Sequence, residues 1–362
     1  MTTKIARQII RDALRVRDQE RVWVHTWNHS LDLAEEVAQQ AQLHGGIVTM
    51  SLMTESLLIH ALKKAPQEAV ITTPTHWLAG IAKSDAFIFL AGPEDPSLYK
   101  SVDKGKALHL TSQTIQALST AFSNRIRTLL VQTTSFTEQA AKSYNLDYGK
   151  IIQESNRCAS ANQSAILDMG RRIEPLLRKH REIHLSSSEG TDLRFRTQGT
   201  PLIDDGIVDQ ADMKSKNVLT QYPAGTISIP VDATSAEGTV VFNWPKGYLG
   251  DLIQNLRLDF KKGQVVSFRA LKGEPTVEGA LHAGTGLKDH LTSLSFGINP
   301  NASSPFGLAL DELIPGSITL GLGNNRFIGG RSQSNLTYSH TLNDAIVSIG
   351  PTAVIMDEKF TL

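Results

Sequence analysis

The side chains best suited to proton transfer sit in the C-terminal part of the chain: His282, Asp289, His290 and His340. Imidazole and carboxylate groups exchange protons near neutral pH, so each is a candidate general acid or base. The adjacency of Asp289 and His290 is suggestive, although such pairs are common by chance. No Ser–His–Asp arrangement is readable from residue order, because only the fold brings such groups together. His25, His29, His44, His60, His76 and His109 are scattered and make no metal-ligand spacing. Cys158 is the one cysteine, so an intrachain disulfide and a cysteine-rich metal site are both ruled out. It reads as a buried thiol in a helix. Neither G-x-G-x-x-G nor G-x-x-x-x-G-K-[ST] occurs in the first half, which leaves dinucleotide and P-loop nucleotide binding without support.

The elements that must position these groups fall into two classes. Over residues 1–182 strands alternate with helices. Ile5, Ile9, Ile10 and Leu14 form a core-facing helical stripe, and Arg21 to Thr26 alternates like a strand. Ser30 is a candidate cap for a helix over Leu31 to Leu43, and Ile47 to Leu52 is the next strand. Further strands are expected at Ala86 to Ala91 and Arg127 to Gln132, with helices at Leu57 to Lys64, Trp77 to Lys83, Ser112 to Ala121 and Ser135 to Tyr144. Strand–helix–strand order favours a parallel sheet covered by helices, hence an α/β N-terminal domain. Residues 145–179 read as largely helical, and the charges from Arg171 to Arg181 as a solvated face.

Over residues 183–362 strands and Gly/Ser/Thr-rich turns dominate, which predicts a β-rich (α+β) C-terminal domain. Lys261-Lys262-Gly263 reads as a hairpin turn, and a helix is expected from Pro275 to His282. The chain has 362 residues, 40% hydrophobic and 20% charged, with 36 basic and 36 acidic side chains. A net charge of zero gives no electrostatic case for nucleic acid or an anionic membrane. The N-terminus lacks the continuous apolar run of a signal peptide, and no segment approaches a membrane span, so the cytoplasm is the expected location.

Between Gln221 and Gly350 the stretches QYPAGT, SAEGTVVFN, GQVVSFRALKGE, DELIPGSITLG and NLTYSHTLNDAIVSIG resemble the catalytic half of the aminopeptidase T/aminopeptidase S metallopeptidases. The scaffold is also similar to that of 2,5-dihydroxypyridine dioxygenase, a mononuclear iron enzyme. The first resemblance implies an aminopeptidase T-like fold, a homodimer, and a pair of metal ions held by acidic residues and histidines. The ligands do not carry over. Thr226 and Ser293 stand where glutamates are expected, Ser317 and Thr337 where histidines are, Ser339 where an aspartate is, and Asn324 where a tyrosine is. The dioxygenase set falls on Ser293, Thr337 and Ser339. A slip of the last motif would leave His340 and Asp344 as one residual ligand pair. In the register taken, alternation from Thr337 and Ser339 sends His340 outward.

Neutral hydroxyls are poor replacements for a whole set of anionic and imidazole donors. The expectation is therefore no metal and no cofactor. The former site would be a hydroxyl-lined polar cavity able to hold a peptide or an amino-acid-derived ligand. Two alternatives stand beside this binding protein. One is a metal-independent enzyme of specialised metabolism acting on an amino acid or peptide. The other is an active metalloaminopeptidase with a rebuilt site.

Overall fold

A computed structural model describes residues 2–362, and their side chains except those of Gln67, Ile71, Lys104 and Leu110. The chain divides into two compact units, residues 1–148 with 206–223, and residues 149–205 with 224–362.

The first unit is built on a five-stranded sheet. Its order is Ile47–Met53, Arg21–Trp27, Ala86–Leu90, Arg127–Val131 and Leu219–Tyr222, every pair parallel. Ala86–Leu90 is buried at all five positions, as expected of a strand covered on both faces. Helix Leu31–Leu43 buries Ala34, Val37, Ala38 and Ala41. Ser30 does occupy its N-cap, but the hydroxyl makes no capping bond and turns to Thr26 Oγ1 at 3.0 Å. The N-terminal stripe is real but not a simple α-helix. Thr2–Arg7 passes into a π-turn at Gln8–Ala13, closed by Leu14 N–H to Ile9 O at 3.0 Å. The wider turn lets the consecutive residues Ile9 and Ile10 both reach the core.

Besides the short hairpin of Lys246–Tyr248 with Asp251–Ile253, the second unit holds two antiparallel sheets. One has eight strands, in the order Gln264–Arg269, Leu256–Lys261, Glu237–Phe242, Asp192–Arg196, Glu182–Ser186, Ile346–Ile349, Thr352–Met356 and Lys359–Phe360. The Leu256–Lys261/Gln264–Arg269 hairpin turns at Lys262 and Gly263, both with positive φ (50° and 83°), the geometry of a tight hairpin. The other sheet has five strands: Thr337–Leu342, Ile318–Gly323, Leu291–Gly297, Thr226–Pro230 and Leu202–Asp204.

The division departs in two places from the single cut after residue 182 that composition implied. Helices Tyr148–Ala159 and Gln163–Lys179 fall almost wholly within the second unit. The latter packs on Thr226–Pro230 and Leu202–Asp204 through a stripe of Ile166, Gly170, Ile173 and Leu177. Conversely, residues 206–223 return to the first unit, where Leu219–Tyr222 completes the parallel sheet. Composition averages over neighbours in sequence and cannot see a strand whose partner lies some ninety residues earlier. Arg171, Arg172, Arg178 and Arg181 are all exposed.

Candidate functional site

The five-stranded sheet of the second unit has two unlike faces. Its register aligns Ile203, Ile227, Phe296, Ile318 and Leu342 across the strands, and likewise Ile229, Leu294, Leu320 and His340. Because side chains alternate along a strand, the residues between them project the other way. These are Thr226, Ser228, Ser293, Ser295, Thr319, Thr337, Ser339 and Thr341, with glycines at 297, 321 and 323. Hydroxyls bond across this face, Ser228 to Ser295 at 2.7 Å and Thr319 to Thr341 at 2.9 Å. Asp204, opposite Thr226, is the one ionisable side chain among these strand positions.

Five of the six positions singled out from sequence lie on or beside this face, but not at one point. Thr226 is opposite Gly297, and a Cβ built on Gly297 would lie 2.6 Å from Ser317 Oγ. Thr226, Gly297 and Ser317 therefore converge at one end. Ser293 is four residues further along its strand, in a row with Gly321 and Ser339. At ~3.4 Å per residue that row is about 13 Å away, and Thr337 is further still. Asn324 lies beyond the strand end, where its side chain caps a turn. Its amide donates to Ser334 O at 3.2 Å and its Oδ1 accepts from Arg326 N–H at 3.0 Å. The five line a strip of sheet and, with Asn324 beyond its end, do not surround one small hole.

The Thr226 end also shows what a metal would meet. Ser317 is fully buried and its Oγ has no hydrogen-bond partner. Position 297 has no room for a side chain, since a Cβ there would stand 2.1 Å from Ile314 O and 2.8 Å from Glu312 O. Thr226 offers a neutral hydroxyl. With Asp204, opposite Thr226, as the one carboxylate of these strand positions, the donor set falls short of the several anionic or imidazole ligands a divalent ion needs. Among the described residues no group of three or more His, Cys, Asp or Glu side chains is arranged to hold a metal ion.

The other row is electrostatically richer. Ser339 Oγ donates to Glu312 Oε1 at 3.0 Å, and Lys246 Nζ donates to the same oxygen at 3.1 Å. Glu312 was visible in the sequence only as part of a motif, and Lys246, in Trp-Pro-Lys-Gly, carried no signal at all. The neighbouring Asp311 is buried and accepts from the N–H groups of Phe306 and Gly307, each at 2.7 Å. Burial pushes its carboxyl up to about 7 despite those two bonds.

The acid/base candidates do not gather. His282 is exposed on helix Glu274–Ala283. Asp289 and His290 bond each other at 2.8 Å, and Gln264 Nε2 donates to the second Asp289 oxygen at 2.8 Å. His340 does point away from Ser339, but that face is core, not solvent. Its ring is fully buried, stacks on Phe242 at 4.5 Å, and bonds Tyr338 Oη at 2.8 Å and Trp244 O at 2.9 Å. Burial pulls its pKa down to about 3. The Asp344 carboxylate is buried with no bonding partner from another residue. Desolvation, helped by the Glu189 and Glu358 charges, raises its pKa. A His340–Asp344 ligand pair is therefore not formed: both nitrogens of His340 are engaged elsewhere. Cys158 is buried, and desolvation pushes its thiol up to about 12, which makes it inert.

A sequence model of the thermophilic metalloprotease (M29) family matches residues 151–300, a span that includes Thr226 and Ser293 but ends before Ser317. No curated protein sequence matches the chain. Among solved structures, wild-type AmpT from Thermus thermophilus superposes with a TM-score of 0.71 at 17% identity, covering 100% of this chain and 99% of that one. The chain shares the AmpT fold. A 2,5-dihydroxypyridine dioxygenase from Pseudomonas putida KT2440 also superposes, with a TM-score of 0.61 at 14% identity, covering 99% and 96%. The AmpT-like fold is therefore compatible with more than one chemistry, and function has to be argued from the residues on the sheet face.

Proposed function

We propose that this chain is an aminopeptidase-like protein without a metal centre, which holds a peptide or amino-acid-derived ligand against the hydroxyl-bearing face instead of carrying out metal-dependent hydrolysis. The observation that carries the reading is the alternation that puts eight Ser and Thr side chains on one side of one sheet. Several of them, Ser228, Ser293, Ser295, Thr337 and Ser339, are only half-buried and so within reach of a ligand. Each hydroxyl both donates and accepts, which suits the alternating N–H and C=O groups of a peptide. The two arms of the test are metal content and ligand binding. After loading with zinc, cobalt, manganese or iron and desalting, the purified protein is expected to retain no stoichiometric metal by elemental analysis. A screen of peptides and amino acid derivatives is expected to give ligands that raise the melting temperature. One or two tightly held ions per chain, with release of free amino acids from peptides, would overturn the reading.

A further inference from the structure

The Ser293–Gly321–Ser339 row carries more than a binding surface needs. Serine is a weak nucleophile until a base takes its proton, and the base is effective when a third group fixes it. Ser339 Oγ already donates to Glu312, and Lys246 fixes that carboxylate through the same oxygen. The Lys246 and Glu312 side chains are 14% and 21% exposed, so the pair is neither sealed in the core nor freely solvated. Beside them, Gly321 lies between the two serines. A Cβ there would lie 2.1 Å from Ser293 Oγ, so that hydroxyl occupies the space a side chain would fill. Ser293 and Ser339 flank Gly321 from the two neighbouring strands, so an acyl group seated over Gly321 would meet the Ser293 hydroxyl as a donor to its developing oxyanion.

We propose that Ser339 is the nucleophile of a metal-independent acyl transfer, with Glu312 as general base, Lys246 as a positioning residue and carboxylic esters as the substrate class. The inference rests on the reading that this face binds the ligand. Carboxylates are weak bases, which favours acyl groups with good leaving oxygens over amides. In the first step Ser339 Oγ bonds to the acyl carbon, its proton passes to Glu312, and the ester C–O bond breaks. The departing oxygen takes that proton and leaves as an alcohol or phenol. Water then attacks the acyl-serine, gives a proton to Glu312, and releases the acid as the proton returns to Ser339 Oγ.

The full chain is treated with a fluorophosphonate probe and, separately, assayed with p-nitrophenyl acetate in the presence of EDTA. The expected result is one adduct per chain, mapped by peptide mass spectrometry to Ser339, and ester hydrolysis insensitive to the chelator. Ser339→Ala should abolish both, and Glu312→Gln should slow hydrolysis ~10²-fold with an unchanged circular dichroism spectrum. Lys246→Met should lower kcat with little change in KM, and Lys246→Arg should restore part of it. An adduct elsewhere, no adduct, or hydrolysis that survives Ser339→Ala overturns the proposal. Peptide-induced thermal shifts that persist in Ser339→Ala would then show that ligand binding stands while the catalytic inference has failed. Loss of shifts in wild type as well would mark failure of the binding reading itself.

Discussion

Gly297 is the residue on which the metal question turns. In an antiparallel pair the residue opposite Thr226 is the natural place for a second ligand, and here it is a glycine hemmed in by three oxygens. Gly297→Ala should therefore cost about 1–3 kcal/mol through overpacking, read as a lower urea midpoint with an unchanged m-value. Gly297→Glu should fail to restore metal binding, because the longer side chain meets the same Ile314 and Glu312 carbonyls. His340 makes the complementary point. As a lone histidine it was a candidate acid/base, but its two nitrogens are spent on Tyr338 and Trp244 and its ring on Phe242. Chemistry-bearing residue types were easy to find in the sequence. Their solvent access and free valences were not, because both depend on neighbours about 100 residues away, such as Trp244 for His340.

At the scale of elements, the Gln163–Lys179 helix shows what periodicity can and cannot say. Its basic residues were readable as a solvated face, and exposed Arg178 pairs with Glu174 one turn back. Its partner was not readable. Gly170 brings the helix against Ile203, where a Cβ would stand 2.8 Å from Ile203 Cγ2. Gly170→Val should push the helix off the Leu202–Asp204 edge strand and cost about 1–3 kcal/mol. Faster amide exchange confined to Leu202–Asp204 and Thr226–Pro230 would distinguish this from global loosening. The same edge bears Asp204 and Thr226, so ligand-induced thermal shifts should also shrink in this variant.

At the scale of the whole molecule, buried titratable groups set the pH response. His25 in the first unit is pulled down to about 4 by desolvation, and His340 in the second to about 3. For both, the unfolded state takes up a proton near pH 6.5 and the folded state does not, so their contribution is present above pH 6.5 and lost as pH falls. Asp311 has the opposite sign. Its folded form stays protonated up to about 7 while the unfolded form ionises near 3.8, so its contribution is full below 3.8 and lost as pH rises through 7. Asp344, whose carboxyl is also raised by desolvation, shares the sign of Asp311; against these two, His25 and His340 both gain over this range, and melting temperature should rise from pH 4 to 6.5. Asp311→Asn should steepen that rise, and a flat or inverted profile in the variant would contradict the assignment. Among the described residues no helix is long and apolar enough to cross a membrane.

The sequence by itself determined the element types, since hydrophobic periods of 3.6 and 2 are local properties. It also determined the parallel-then-antiparallel order of the two halves, the hairpin at Lys262-Gly263, and the hydroxyl character of Thr226, Ser293, Ser317, Thr337 and Ser339. Only the tertiary structure decided how those hydroxyls are spaced. Register is fixed by pairing between strands far apart in the chain, and it put Thr226 beside Gly297 and Ser293 beside Gly321. Tertiary structure alone also brought Lys246, 66 positions away in the chain, and Ser339 onto one carboxylate oxygen of Glu312. Side-chain identity is written locally, whereas a site is a set of distances, and those are set by packing.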